Sequence, residues 1–244
     1  MDRSRDSLRG YFPGMSDKTW RDFDLYYGLL REWNRRINLT TIVDEVDVYV
    51  KHFVDSLLVL QLPEWATMAI SGAQVVDVGS GAGFPGVPLA MVQPDVSFTL
   101  CDSLMKRLNF LEVVASVIDL SNVRMVHARA EDLGHQPEFR GLADGVVARA
   151  VAPLSALAEL CLPLLRVGGR LFAYKGPGVR EELQEAQTAL SVLGGQVSRV
   201  SSFSLPLQKG TRFLVVVDKI RTTGERYPRQ AGTPQKRPLM NSSG

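Results

Sequence analysis

One segment constrains this chain more than any other: Asp77-Val78-Gly79-Ser80-Gly81-Ala82-Gly83-Phe84-Pro85-Gly86. It follows a short β-rich run, Gln74–Asp77, and opens an apolar stretch, Gly86–Val92, that reads as a helix. Glycines let the backbone turn sharply and let a ligand approach where a Cβ would collide. A plain strand-to-helix turn needs one or two of them, so four at this spacing point to a ligand-binding turn. The G-x-G-x-x-G from Gly81 to Gly86 is weak by itself. The weight lies in its setting, with an acid two residues before Gly79 and glycines at alternate positions. A carboxylate at the strand end suits a cationic ligand such as an aminoacyl sulfonium, where a pyrophosphate would be repelled.

The surrounding pattern predicts an α/β fold. Strands are expected at Gln74–Asp77, Val96–Asp102, Val123–His127, Gly145–Ala148, Arg170–Tyr174, Gln196–Ser202 and Thr211–Lys219. Helices are expected near Gly86–Val92, Leu104–Leu120, Ala152–Leu165 and Val179–Leu193. Strands alternating with helices imply parallel βαβ units covered on both faces. The last two strands lack a helix between them, which predicts an antiparallel pair at one end of the sheet. In such sheets a ligand lies at the carboxyl ends of the strands, where strand order reverses.

Three regions separate along the chain. Residues 1–70 read as helical, with Trp20, Phe23, Tyr26, Tyr27, Leu30, Trp33 and Ile37 recurring every three or four positions. A second helical stretch carries Val46, Val50, Phe53, Val54, Leu57 and Leu58. Residues 71–220 hold the strand–helix alternation. Residues 221–244 are rich in proline and glycine and read as a tail or extended arm. The whole chain has 28 Lys+Arg against 26 Asp+Glu, a net charge of +2. That excludes a histone-like polycation but not a local basic face. The tail concentrates the excess: Arg221, Arg226, Arg229, Lys236 and Arg237 stand against Glu225 alone, and a cationic arm suits RNA phosphates.

Cys101 and Cys161 sit in apolar surroundings, outside any Cys/His cluster, and are expected as small buried hydrophobes with no metal site. The charged start, Met1–Asp6, does not lead into a signal peptide, and no apolar run reaches the roughly 18 residues of a membrane span. A cytoplasmic location is expected.

Two further strand ends carry acids. Asp102 ends the second strand, at the distance past the glycines where a carboxylate accepts ribose hydroxyls; its bland alternative is a cap before Ser103. Ala130-Glu131-Asp132 follows the third strand, where an acid or its backbone could meet an adenine edge. This constellation resembles the class I S-adenosylmethionine-dependent methyltransferases, whose acid-x-Gly-x-Gly-x-Gly pattern stands here as Asp77, Gly79, Gly81 and Gly83. The resemblance implies a Rossmann-like, seven-stranded, mostly parallel sheet with an antiparallel terminal strand. The helical residues 1–70 would be an N-terminal extension to it.

After the fourth strand stands Val147-Ala148-Arg149-Ala150-Val151-Ala152-Pro153, without the Asn/Asp-Pro-Pro-aromatic box of amino-methylating enzymes. With no activated cysteine either, exocyclic-amine and pyrimidine C5 chemistry are disfavoured. Arg149 is a long cation at a strand end facing the crevice. Local motifs extend the resemblance to one family, the 16S ribosomal RNA guanine-N7 methyltransferases known as the glucose-inhibited division protein B family. They are Trp33 to Thr40, His52 to Leu57, Asp77 to Pro88, Asp102 to Arg107, Arg149-Ala150, Tyr174 to Gly176, and Tyr227-Pro228-Arg229 through Leu239. The resemblance covers about residues 25–239; the first twenty residues match no family motif.

It implies transfer of a methyl group from S-adenosyl-L-methionine to N7 of guanine 527 in 16S rRNA. The partner would be 16S ribosomal RNA, the small subunit or its precursor, and the protein a monomer. Cofactor contacts are implied at Gly79, Phe84, Ala130, Glu131 and Arg149, to which the ribose argument adds Asp102. Guanine N7 carries a lone pair and no proton, so alignment rather than a general base is required. Arg149 and Lys175 are the candidates for holding the guanine by O6. His52 and Asp55, three apart, read as a structural pair. Alternatives are a methyltransferase of the same fold acting on another RNA, a protein or a small molecule, a nicotinamide enzyme, and a non-enzymatic RNA-binding module.

Overall fold

A computed structural model describes residues 9–12 and 14–239; the charged start Met1–Asp6 and the last five residues of the tail lie outside the described part. Seven strands form one sheet in the order β3-β2-β1-β4-β5-β7-β6. They are β1 (Gln74–Val78), β2 (Ser97–Asp102), β3 (Val123–His127), β4 (Ala143–Arg149), β5 (Leu165–Lys175), β6 (Gly195–Ser204) and β7 (Thr211–Lys219). The first five run parallel, and β7 inserts between β5 and β6, antiparallel to both. The expected antiparallel pair is therefore β6 and β7, with β7 the single reversed strand. Strand order reverses between β1 and β4, which opens a crevice at their carboxyl ends.

Successive residues of a strand face opposite sides of the sheet, and two hydrophobic cores follow. On one face lie Val75, Val147, Phe172, Tyr174, Leu214 and Val216. The N-terminal helices cover it together with helices Gly86–Val92 and Met105–Val117. On the other lie Val76, Val78, Val146, Ala148, Leu171, Ala173, Val215 and Val217, under helices Leu154–Cys161, Val179–Glu185 and Gln187–Leu193. Cys101 and Cys161 are both buried and unpaired, and burial pushes the Cys101 thiol up to about 12. No helix among the described residues is long and apolar enough to cross a membrane.

The long N-terminal helix, Asp17–Ile37, starts where the Ser16 side chain accepts the Thr19 N–H and stops at Asn38 in the left-handed conformation. Its apolar stripe buries Trp20, Phe23, Tyr26 and Leu30. The second helical stretch is not uniform. Glu45–Val48 runs into a π-helical segment, Tyr49–Val54, then a short α turn at Asp55–Leu57 and a 3-10 turn at Leu58–Gln61. A one-residue widening of this kind is a frequent feature of functional sites.

Residues 221–239 are an arm laid along the second face, with a short helix at Thr233–Lys236. Tyr227 is buried there, and Leu239 packs against the same core.

Candidate active site

The glycine turn is braced from two sides. Gly79, Gly81 and Gly83 all have positive φ, and a Cβ on Gly83 would run into Tyr26 Oη, Leu111 and Val87. The Tyr26 hydroxyl donates to the Ala82 carbonyl, so the N-terminal helix clamps the turn directly. From below, Asp77 Oδ2 accepts the Gly86 N–H at 2.9 Å. Period-2 alternation puts Asp77 on the face of Val75, beneath the turn, where it is fully buried. It lines neither of the two cavities described below. Burial pushes its carboxyl up to about 7. The expectation that Asp77 meets a cationic ligand is corrected: its alternating position aims it into the core, where it holds the turn.

Two cavities open at the carboxyl ends of the strands. The first, about 350 Å3, gathers Gly79, Asp102, Ala130 and Glu131 with Val78, Cys101, Arg107 and Leu160. Four of the six residues expected to contact a cofactor thus converge. Asp102 is buried, and its carboxylate accepts from Gly81 N (2.9 Å), Leu104 N (2.9 Å) and Arg107 Nη1 (3.2 Å). It braces the turn before helix Met105–Val117 through the Leu104 N–H and lines the cavity. A carboxylate has about four lone-pair sites, so three protein donors leave room for a hydroxyl. Opposite, Glu131 lies on helix Ala130–Leu133.

The second cavity, about 520 Å3, shares Ala150 and Val151 with the first and gathers Lys51, His52, Asp55, Arg149, Tyr174, Lys175, Glu182 and Arg212. Ala150 itself has φ +56, a conformation that costs a residue bearing a Cβ. The strained step therefore sits at the wall between the cavities.

Arg149 and Lys175 both reach this second cavity but from opposite faces. Arg149 follows the parity of Val147 and points to the N-terminal layer; Lys175 follows Ala173 and points to the other side. Arg149 Nη1 donates to Asp55 Oδ2 (2.8 Å), Lys51 O (3.1 Å) and His52 O (3.4 Å), and Nη2 donates to His52 Nδ1 (3.2 Å). Its guanidinium also lies 5.1 Å from the Phe84 ring. Lys175 Nζ donates to Ala152 O and pairs with Glu182 Oε2, both at 2.7 Å. Phe84 lines neither cavity; it is buried, stacked on His52 with centroids 4.4 Å apart, and on Tyr26.

The π segment explains this cluster. It turns the carbonyls of Lys51 and His52 and the side chain of Asp55 toward Arg149 together. Since an arginine only donates, His52 Nδ1 must accept, and its Nε2–H donates to Thr40 Oγ1 at 2.9 Å. Burial and then the Arg149 charge push His52 down to about 3, so it stays neutral. His52 and Asp55 do not bond each other; both serve Arg149. Asp55 also accepts Arg212 Nε at 2.7 Å. Thr40 is placed by Asn34, whose side chain bonds the Thr40 N–H and C=O at 2.8 and 2.9 Å. Arg212 was not among the expected site residues, although its parity with Leu214 and Val216 on β7 assigns it to this face.

Comparison with known proteins fits this geometry. The model of the family described as rRNA small subunit methyltransferase G, GidB, matches residues 19–211. The ribosomal RNA small subunit methyltransferase G of Lactobacillus delbrueckii subsp. bulgaricus is 45% identical over 234 residues, covering 96% of this chain and 97% of its own. The protein of the same name from Geobacillus sp. is 43% identical over 226 residues, covering 93% of each chain. Among solved structures, a mutant of the 16S rRNA (adenine(1408)-N(1))-methyltransferase from Catenulisporales acidiphilia aligns with a TM-score of 0.52 at 18% identity, over 66% of this chain and 92% of that one. TrmN from Thermus thermophilus aligns with a TM-score of 0.51 at 21% identity, over 70% and 53%. These two likenesses show the fold. The family matches carry further, and by them this chain belongs to the rRNA small subunit methyltransferase G family.

Proposed function

We propose that the chain transfers the methyl group of S-adenosyl-L-methionine to N7 of a guanine in small-subunit ribosomal RNA, guanine 527 of the 16S molecule. The cofactor fits the first cavity. Gly79 leaves the backbone bare at its floor, Asp102 faces it with lone pairs to spare, and Ala130 and Glu131 border its far end. When bound there, it supplies an electrophilic methyl on a sulfonium. Gly79, Asp102, Ala130 and Glu131 would hold that group, and the second cavity, which shares Ala150 and Val151 with the first, would admit the guanine.

The observation that carries the reading is the state of the second cavity's acids and bases. Asp55 is gripped by Arg149 and Arg212, and Glu182 by Lys175 and the Leu154 N–H. His52 is held between Arg149 and Thr40. All three are committed to structural partners. A ring nitrogen with a free lone pair needs no base, whereas an exocyclic amine or a hydroxyl would. Arg149 and Lys175, at the cavity's edge, orient the base through O6 rather than activating it, because a donor at O6 draws charge from N7. RNA approaches the mouth that Lys51, Arg149, Lys175 and Arg212 line, and the protein works in the cytoplasm beside its substrate.

The test is mass analysis of ribosomal RNA from cells with and without the protein, complemented by variants. One N7-methylguanine is expected to vanish without it and to return with the wild type. Arg149→Ala and Lys175→Ala are each expected to lower turnover by about 100-fold, the scale of lost transition-state positioning. Full turnover by both would remove them from the machinery, and an unchanged mass spectrum would remove the substrate.

A further inference from the structure

The first cavity has a border that belongs to neither the sheet nor its helices. Gly232 and Gln235 of the C-terminal arm line it beside Glu131, Leu160 and Val151. We infer that the arm is a wall of the cofactor cavity, that Gln235 is a binding residue for the adenosyl ligand, and that the Arg229–Glu159 pair is what holds the wall closed. The inference rests on the reading of this cavity as the cofactor site and adds to it a part that the glycine turn and strand-end acids do not supply.

The arm is latched at three points, two of them on helices that line the cavity. Glu159 is fully buried on helix Leu154–Cys161, next to the cavity-lining Leu160. It accepts from the Arg229 backbone N–H (2.7 Å), from Nε at 2.9 and 3.1 Å, and from Nη2 at 2.7 Å. Glu131 Oε1 accepts the Gly232 N–H at 2.7 Å, made possible by Gly232's φ of +81. Arg140 donates to the carbonyls of Thr223, Gly224 and Tyr227, and His135 Nε2 donates to Pro228 O.

The orientation of one side chain then follows. Gln235 Nε2 lies 3.4 Å from the Val151 carbonyl, a long contact that a better acceptor would displace. Val151 in turn sits over Gly79, where a Cβ would come within 2.8 Å of Val151 Cγ2. Gln235 therefore reaches the cavity where the glycine turn, the Ala150–Val151 wall and Glu131 converge, and its carboxamide can both donate and accept.

The cation at the centre of the arm, Arg229, is spent on Glu159, and its Nη2 also donates to Arg237 O. If the arm lifted, Glu159 would be a buried carboxylate without its partner, which is strongly unfavourable. A ligand that touches both Glu131 and Gln235 adds contacts only when the arm is down. Ligand binding and arm docking must then favour each other equally, as linkage requires.

The test measures binding of S-adenosylhomocysteine, the unreactive product, by calorimetry on the full-length protein. Gln235 is exposed and makes one long contact, so Gln235→Ala keeps the fold; its affinity is expected to fall about 5-fold. Arg229→Gln is expected to lose more, about 10- to 50-fold, with partial recovery in Arg229→Lys. In turnover assays both losses should appear in KM for the methyl donor, with kcat and the KM for RNA unchanged. The ligand should also slow trypsin cleavage after Arg226, Arg229 and Lys236 in the wild type. Wild-type affinity in both variants, or no protection from trypsin, overturns the inference. So does a variant that keeps its affinity for S-adenosylhomocysteine and loses RNA, which would give the arm to the RNA instead. If the wild type itself fails to bind S-adenosylhomocysteine, the reading of the cavity falls first.

Discussion

The N-terminal layer and the C-terminal arm cover opposite faces of the same sheet and reach the same crevice by different physics. The N-terminal layer is held by aromatic burial: Phe23, Tyr26, Tyr49, Phe53 and Phe84 form a run of ring contacts 4.7 to 5.8 Å apart. The arm buries Tyr227 but is held mainly by donors satisfying two carboxylates, Glu159 and Glu131. Apolar burial scales with area and welds the layer into the global fold. The arm's polar latch is local, so its opening costs Glu159 its partner without unfolding the rest.

The largest effect that can break this comparison is on the aromatic side. Phe53 is buried against Phe23, Tyr26, Tyr49 and Phe84. Phe53→Ala is expected to cost about 3–5 kcal/mol of global stability, read as a lower midpoint in urea. A loss under about 1 kcal/mol would mean that the layer is as detachable as the arm.

On the other face, Glu159→Gln removes the charge that Arg229 binds. The expected loss is about 2 kcal/mol, felt only in arm docking. Amide hydrogen exchange over residues 223–237 should rise roughly 30-fold while the global urea midpoint stays put. A matching fall in the midpoint would show the arm to be part of the cooperative core.

The smallest effect sharpens the contrast through pH. His52, held near 3, is neutral in the fold and charges on unfolding below its ordinary value of 6.5. Its contribution is present above pH 6.5 and is lost as pH falls toward 3, by at most about 1.4 kcal/mol per pH unit. Asp77, raised from 3.8 to about 7, acts in reverse: its carboxyl favours the fold below about pH 4, and that support is lost as pH rises through 7. The two oppose each other between pH 4 and 6.5. His52→Gln should therefore leave a protein whose urea midpoint rises on acidification from pH 7 to 5. A midpoint that keeps the wild-type pH dependence would show that His52 does not carry its share.

Much of the fold was legible because burial has a period. The apolar recurrence from Trp20 to Ile37 marks a helix whose observed limits are Asp17–Ile37, and the strand at Thr211–Lys219 was read to the residue. The helix expected at Val179–Leu193 breaks at Ala186 into two, a change that the hydropathy pattern does not register. The π segment at Tyr49–Val54 was equally invisible, since one added residue per turn alters hydrogen bonding more than it alters which residues are apolar.

The candidate site divides along the same line. The sequence alone determined the glycine turn, the acids Asp102 and Glu131 after their strands, and the family. Those features are local, set by which residues can turn a backbone or end a strand. Only the tertiary structure decided that Asp77 points into the core, that Arg149 and Lys175 enter the second cavity from opposite faces, and that Asp55 takes Arg212 as well. It also decided that a cationic, proline-bearing arm lies down beside Glu131 and Glu159 instead of trailing from the domain. A polar side chain's role is set by partners that, for Arg149 and Asp55 or Arg229 and Glu159, stand 94 and 70 residues away in sequence. No local pattern encodes such a pairing, and folding alone brings it about.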